Sequence, residues 1–344
     1  MPSDSNRFDF LRLLFALGVF AYHAVVLSSV DVAGHAEGVL GAIAEVSVQG
    51  FFVISGALVF GSWQRSQSVA DYAGKRVRRL LPAYLVVITV PAIVALSIAS
   101  FEPGILKQVA TYFGANAVFL NFLSPTLPGL FEGQRFTEVN GSLWTLKIEV
   151  MFYLVLPAIA WVWQRLGKAW WVLFVLLYVG ALAWQVVVSA WDHRHAAELA
   201  RQLPGQMAFF ASGMALWQCR DWARRHVREL GLIGVMGVAL GLLWPVADFL
   251  RAASLAALVA WAAFAPGPAL RAARWGDVSY GVYITHFPVL QALVALGVFA
   301  SIGFALGLVL ATALVFFCSY VLWFAVEKPA LRRNSHYRRA EKGS

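Results

Sequence analysis

The chain has 344 residues, of which 60% are hydrophobic and only 13% are charged, and its net charge is +9. A mean hydropathy of +0.70 lies far above that of a soluble domain and indicates an integral membrane protein. The positive charge lies mainly on connections between apolar segments, so membrane topology explains it and a nucleic-acid partner is not needed.

Apolar segments of membrane-spanning length recur from end to end. Because about 20 helical residues cross a bilayer core, these segments predict ten spans and no separate soluble domain. The spans cover approximately residues 8–29, 40–62, 79–100, 140–165, 169–190, 203–219, 229–245, 249–266, 278–299 and 302–326. We therefore expect an all-α bundle of about ten transmembrane helices, with one transmembrane domain over residues 1–330 and a basic tail over residues 331–344.

Loop charge and loop length predict the orientation of this bundle. Most of the 27 Lys and Arg residues lie near the N-terminus, in the tail and on alternate connections, which places both termini in the cytoplasm by the positive-inside rule. The only long connection, residues 101–139, then lies on the outer side. Its apolar first part is expected to enter the membrane interface, whereas the turn-rich stretch SPTLPGLFEGQRFTEVNG is expected to form an exposed loop.

The first span, FDFLRLLFALGVFAYH, contains an arginine and a histidine within apolar sequence. Arg12 and His23 are eleven residues apart, so they share one helix face with a rise of about 16 Å between them. Arg12 lies near the cytoplasmic boundary and His23 lies deeper, past the middle of the membrane. Arg12 is either a snorkelling anchor or a ligand-binding residue; His23 is either an interhelical hydrogen-bonding residue or a functional one.

Two further sequence motifs lie within the second span and immediately before the third span. The small residues of GFFVISGAL, Gly50, Ser55 and Gly56, are typical of close helix packing. DYAGKRVRRLLP, which precedes the third span, either fixes topology or captures phosphate, since Arg76 and Arg79 are three residues apart on a helix.

Polar residues also lie within the fourth and ninth spans. In SLWTLKIEVMFY, Thr145 and Glu149 share a helix face, and a carboxylate inside the membrane is a functional candidate by default. In SYGVYITH, a stripe of Ser279, Tyr283 and His286 is explained equally well by a structural polar seam and by a site.

These segments, in this order, resemble the membrane-bound acyltransferase-3 family, which includes bacterial O-acetyltransferases of O-antigen and exopolysaccharide. The resemblance covers nearly the whole chain. It lies in the Arg-x10-His motif from Arg12 to His23, in GFFVISG, in the Arg-x-x-Arg motif from Arg76 to Arg79, in SLWTLKIEVMFYLVLP, in SYGVYITHFP and in the closing Glu-Lys-Pro at residues 327–329.

The resemblance implies a multi-pass enzyme of the bacterial inner membrane. Such an enzyme takes an acyl group, usually acetyl, from cytoplasmic acyl-CoA and passes it to a hydroxyl of a carbohydrate or glycolipid at the outer face. It also implies a catalytic role for His23 and an acyl-donor role for Arg76 and Arg79. No metal is implied.

A mechanism follows as a hypothesis. Arg76 and Arg79, with Lys75 and Arg12, would hold the phosphates of acetyl-CoA through charge-assisted hydrogen bonds. His23 would act as general base on the acceptor hydroxyl or carry the acyl group itself, and Glu149 would orient His23 or bind the acceptor. The rival hypothesis is a transporter or flippase of a lipid-linked sugar or small polar solute, whose pathway the same charges would line.

Overall fold

The computed structural model of the protein describes residues 7–29, 36–99, 102–268, 270, 272–332 and 335. Over these residues the chain forms helices, turns and loops, with no β-strand. The α-helices are α1 (Phe8–Ser28), α2 (Ala36–Gln64), α3 (Val69–Ile98), α4 (Pro103–Ala117), α5 (Trp144–Leu166), α6 (Trp170–Ser189), α7 (Ala196–Ala200), α8 (Leu203–Gln218), α9 (Arg220–Arg225), α10 (Val227–Leu243), α11 (Arg251–Phe264), α12 (Ser279–Ala295), α13 (Val298–Leu322) and α14 (Lys328–Ala330).

The all-helical membrane architecture expected from the composition is confirmed. Six helical segments of the described chain are long and apolar enough to cross a membrane: Phe8–Ser28, Ala36–Gln64, Val69–Ile98, Gly141–Ser189, Val246–Phe264 and Val298–Ala330. The other predicted spans coincide with shorter helices, so the count of ten and the cytoplasmic placement of both termini stay predictions. The predicted basic tail, residues 331–344, falls mostly outside the described residues.

The chain divides into two compact units. The first unit comprises Met1–Arg12, Val48–Ala73 and Ile148–Arg271. The second unit comprises Leu13–Ser47, Gly74–Lys147 and Ala272–Ser344. His23, Lys75, Arg76 and Arg79 belong to the second unit, whereas Arg12 and Glu149 belong to the first.

In the first unit, helices α2 and α8 touch backbone to backbone. A Cβ atom at Gly56 would lie 2.1 Å from the carbonyl oxygen of Phe210, and one at Gly213 would lie 2.0 Å from that of Val53. Only glycine leaves room for this approach, so the packing role predicted for Gly56 is confirmed. The ring of Phe152, on α5, stacks on that of Phe210 with centroids 4.2 Å apart and joins a third helix to the pair.

In the second unit, α12 packs closely on α13. A Cβ atom at Gly281 would lie 2.9 Å from the Cα atom of Ser319, so the two backbones are in near contact. Helix α3 joins this unit through Tyr280, whose hydroxyl donates a hydrogen bond to the carbonyl oxygen of Leu80 at 2.9 Å. These contacts hold α12 on two sides, and α12 carries His286.

The long connection between α3 and α5 is more ordered than its composition predicts. Its first part forms α4, and the carbonyl oxygen of Asn116 near the end of that helix accepts a hydrogen bond from the Tyr84 hydroxyl at 2.7 Å. The second part was expected to be an exposed loop, which is wrong for Val139 and Asn140, since both are buried. The cause is a set of side-chain hydrogen bonds to α12, which a pattern of turn residues does not reveal.

Candidate functional site

The imidazole rings of His23 and His286 form a hydrogen-bonded pair in the second unit. His23 Nδ1 lies 2.9 Å from His286 Nε2, and the ring centroids are 5.0 Å apart. His286 is fully buried, at 0% exposure, and His23 is partly buried. The Phe287 ring packs edge-on against His23 with centroids 5.1 Å apart. Imidazole exchanges protons near neutral pH, so the pair is suited to acid–base chemistry.

The hydrogen-bond network assigns a direction to the neutral pair. His286 Nδ1 lies 3.2 Å from the carbonyl oxygen of Val282, which can only accept, so the proton of neutral His286 belongs on Nδ1. His286 Nε2 then carries a lone pair and accepts a hydrogen bond from His23 Nδ1. It follows that Nε2 of His23 carries the lone pair that can take up a proton.

The three polar side chains of the predicted ninth span, Ser279, Tyr283 and His286, contact three different partners. His286 meets His23, and the Tyr283 hydroxyl lies 2.7 Å from Thr145 Oγ1. The Ser279 hydroxyl donates to Asp277 Oδ1 at 2.7 Å. The stripe is therefore a structural polar seam that also carries one member of the histidine pair. The sequence identified His286 as a polar residue in a span, but its partner lies 263 positions away in the chain.

Glu149 lies in the first unit, partly buried on α5. Its Oε1 atom accepts hydrogen bonds from the hydroxyls of Tyr153, one turn along the same helix, and Ser55 of α2, the latter at 3.5 Å. Both hydrogen bonds end on the same carboxylate oxygen. Thr145 lies one turn before Glu149 on α5, as predicted. It is assigned to the second unit, where its hydroxyl contacts that of Tyr283 and donates to the carbonyl oxygen of Ser142.

Arg79 lies between two carboxylates that the sequence motifs do not link to it. Its Nη1 atom lies 2.6 Å from Glu327 Oε2 and its Nη2 atom 2.8 Å from Asp277 Oδ2. The exposed fractions of the three side chains are only 6%, 2% and 1% for Arg79, Asp277 and Glu327. The Tyr280 ring covers the guanidinium at 5.3 Å from its centroid. This buried group ties α3 to one end of the α12–α13 pair, where α12 begins and α13 ends.

The other cations of the basic cluster lie in more open positions. Lys75 and Arg76 are partly buried on α3, and Arg78 is exposed. Arg12 is partly buried near the start of α1, and this helix runs without a break to His23. The eleven-residue spacing on one helix therefore holds as predicted, with Arg12 near one end and His23 near the other.

The acidic, imidazole and thiol side chains are dispersed over the described part of the chain. Within it, no three or more of the His, Cys, Asp and Glu side chains are grouped so as to hold a metal ion. Cys219 and Cys318 are free thiols.

Comparison with known proteins identifies the family. A family model described as "Acyltransferase domain" (Acyl_transf_3) matches residues 5–324. The chain therefore belongs to the acyltransferase-3 family, as the sequence motifs predicted, and it is an acyltransferase of the membrane. No solved structure shows a significant match to the chain.

Three curated relatives are similar to this chain. "Nodulation protein 10" of Rhizobium leguminosarum is 29% identical over 318 residues, which cover 85% of this chain and 84% of the relative. An "O-acetyl transferase" of Shigella phage Sf6 is 28% identical over 363 aligned residues, which cover 96% and 97%. "Peptidoglycan O-acetyltransferase OatA" of Listeria monocytogenes is 30% identical over 171 residues, covering 46% of this chain and 25% of the relative.

The buried ion group generates a stability prediction. Replacing Arg79 with Leu leaves two carboxylates buried without their cation, and we expect a loss of about 3–5 kcal/mol of folding stability. The measurement is the unfolding midpoint of the protein purified in detergent. Arg78→Leu is the matched control, because Arg78 lies next to Arg79 on the same helix and is exposed. Equal midpoints for the two variants would contradict the structural role of Arg79.

Proposed function

We propose that this member of the acyltransferase-3 family is an inner-membrane O-acetyltransferase. It takes an acetyl group from cytoplasmic acetyl-CoA and transfers it to a hydroxyl of a carbohydrate or glycolipid at the outer face of the membrane. The hydrogen-bonded pair of His23 and His286 is the observation that carries the proposal. Acyl transfer to a hydroxyl requires a base with a lone pair that can take up a proton, whereas a passive transport pathway does not.

In this proposal His23 is the general base. Nε2 of His23 takes the proton of the acceptor hydroxyl while the hydroxyl oxygen attacks the thioester carbonyl carbon. The carbon–sulfur bond then breaks, and the thiolate of CoA leaves and is protonated. His286 accepts the hydrogen bond from His23 Nδ1, so it holds the tautomer that presents Nε2 and shares the positive charge that His23 gains. His286 thus takes the orienting role that Glu149 was predicted to fill.

For the acyl donor, we propose that Arg76 and Lys75 bind phosphates of acetyl-CoA at the cytoplasmic end of α3. Both side chains are partly buried near the start of this helix, and guanidinium and ammonium groups bind phosphate through charge-assisted hydrogen bonds. Arg79, by contrast, has two carboxylates against its guanidinium. Its contribution to donor binding is then to fix the helix that presents Arg76. Arg12 stays a predicted donor-binding residue.

For the acceptor, we propose a carbohydrate hydroxyl bound by Glu149. Both described hydrogen bonds of its carboxylate end on Oε1, so Oε2 is available to accept one from a substrate hydroxyl. The names of two relatives support the reaction class, since one is called an O-acetyl transferase and another a peptidoglycan O-acetyltransferase.

The first prediction of this proposal concerns the base. In membranes given radiolabelled acetyl-CoA, His23→Ala should lower labelling of envelope carbohydrate by about 10²- to 10⁴-fold, the usual contribution of a general base. His286→Gln should lose less than His286→Leu, because the glutamine oxygen can still accept a hydrogen bond from His23. His226→Ala is the control, because His226 lies in the first unit on the α9–α10 turn, where its Nδ1 atom meets the carbonyl oxygen of Trp222.

Three outcomes would count against the general-base proposal. Wild-type labelling by His23→Ala would remove His23 from the chemistry. Absence of CoA release by the wild-type protein, together with movement of a sugar across the membrane, would favour the transporter. An acetylated protein that accumulates without acceptor would replace the general-base route by an acyl-histidine route.

The second prediction separates Arg76 from Arg79. Arg76→Ala should raise the apparent KM for acetyl-CoA by about 10- to 100-fold, because a charge-assisted hydrogen bond is lost, and should lower the unfolding midpoint less than Arg79→Leu does. With acetyl-pantetheine, which has no phosphate, the same variant should match the wild type. Arg78→Ala is the control on the exposed side of the helix. An equal penalty with both donors would show that Arg76 does not bind phosphate.

The third prediction concerns Glu149. Glu149→Gln keeps the size of the side chain but removes its charge, and we expect at least about a tenfold loss of transfer to envelope carbohydrate. The apparent KM for acetyl-CoA should not change. Glu229→Gln, an exposed carboxylate of the same unit, is the control. Wild-type transfer by Glu149→Gln would make Glu149 a packing residue.

A further inference from the structure

Helix α12, which carries His286, lacks one of its internal hydrogen bonds. Pro288 has no backbone N–H, so the carbonyl oxygen of Ile284, four residues earlier, has no donor within the helix. Ile284 is completely buried, at 0% exposure. A buried carbonyl without a donor destabilises the fold, so a partner from elsewhere is required.

The side chain of Asn140 supplies this partner. Its Nδ2 atom donates to the carbonyl oxygen of Ile284 at 2.8 Å. The amide orientation follows from its other end, because Asn140 Oδ1 accepts hydrogen bonds from the Ser142 amide at 3.2 Å and the Ser142 hydroxyl at 2.7 Å. Asn140 is itself buried, and the segment around it leads directly into α5.

A second set of hydrogen bonds lies on the other side of Pro288. Gln291 Nε2 donates to the carbonyl oxygens of Phe136 at 2.7 Å and Glu138 at 3.1 Å. In return, Gln134 Nε2 donates to the carbonyl oxygen of Gln291 at 3.2 Å. The outer segment 134–142 is therefore bound to α12 both before and after the proline.

The same segment lies against the ring that packs on His23. A Cβ atom at Gly141 would lie 2.8 Å from the Phe287 ring, so the backbone of the segment is in contact with that ring. Phe287 in turn meets His23 edge-on. Ile284 and Pro288 lie two residues before and two residues after His286, so the repaired hydrogen bond spans the position of His286 in the helix.

We propose that Asn140 is a positioning residue for the histidine pair. By donating to the carbonyl that Pro288 leaves open, it fixes the backbone of α12 around His286 and so holds His286 Nε2 within hydrogen-bond distance of His23 Nδ1. Its importance for turnover rests on the function proposed above, but the hydrogen bond itself does not.

The competing role for Asn140 is local. Its Oδ1 atom caps the short helical turn Gly141–Leu143, and capping alone would also explain an asparagine at this position. Serine separates the two roles, because it caps helices about as well as asparagine but is too short to reach Ile284. The variant Asn140→Ser thus removes the donor to α12 and keeps a cap.

A second substitution tests the partner carbonyl directly. In Pro288→Ala, residue 288 regains an N–H that can donate to the carbonyl oxygen of Ile284 within the helix. The hydrogen bond from Asn140 should then contribute less to the position of α12. We expect Asn140→Ser to lower kcat by about 10- to 100-fold with little change in the KM for acetyl-CoA, and to lower kcat by less than about threefold when Pro288→Ala is present.

Asn116→Ser is the matched control for this cycle. Asn116 is also buried in the second unit, and its Nδ2 atom donates to the carbonyl oxygens of Tyr112 and Ser124. The truncation is the same, but its donor does not reach α12. Pro288→Ala should therefore not reduce the effect of Asn116→Ser.

Two readouts on the full-length protein in detergent distinguish the outcomes. They are the unfolding midpoint, which does not depend on the reaction, and kcat with radiolabelled acetyl-CoA. Coupling between Asn140→Ser and Pro288→Ala in both readouts supports the proposal. Coupling in the midpoint alone overturns the positioning role, and coupling in neither overturns the hydrogen-bond repair. Failure of the general-base proposal would appear separately, as wild-type turnover by His23→Ala.

Discussion

Hydrocarbon offers no hydrogen bonds, so each polar group within a membrane span needs its partner inside the protein. Polar groups buried inside a protein have the same requirement, and three contacts of the second unit meet it. The two imidazoles of His23 and His286 satisfy each other, the guanidinium of Arg79 is matched by two carboxylates, and a carbonyl opened by Pro288 receives an amide from Asn140. Each contact joins parts of the chain that are far apart in sequence, so satisfying polar groups also determines how the helices of the second unit are arranged.

The sequence predicted those features that depend on local pattern. The helices follow from apolar length, the shared face of Arg12 and His23 follows from helical periodicity, and the close approach at Gly56 follows from residue size. The family followed from ordered motifs and is confirmed by the match over residues 5–324. These inferences need no knowledge of which helix lies beside which.

Partners distant in the chain could not be predicted in this way. Asp277 and Glu327 are single carboxylates beside apolar sequence, and nothing in their spacing points to Arg79, 198 and 248 positions away. The same reason explains the segment before α5, whose turn-rich composition suggested exposure although Asn140 is buried. A useful signal was present in Pro288, since a proline inside a span leaves a carbonyl that some donor must reach.

The Arg-x-x-Arg motif illustrates how two similar residues acquire different environments. Arg76 and Arg79 are one turn apart on α3, yet Arg79 is buried against carboxylates while Arg76 is only partly covered. One guanidinium thus belongs to the framework, and we propose that the other meets the substrate.

The histidine pair has a further consequence in a membrane. The partner of the proposed base His23 is the imidazole of His286, which can be neutral, and not a carboxylate, which would carry a charge. A formal charge that crosses the whole bilayer changes its energy by about 2.3 kcal/mol for each 100 mV of transmembrane potential, and a charge held inside the bilayer by a fraction of that, whereas an uncharged pair is almost insensitive to the voltage. The energy of the neutral resting pair would then be nearly the same in an energised and a de-energised cell.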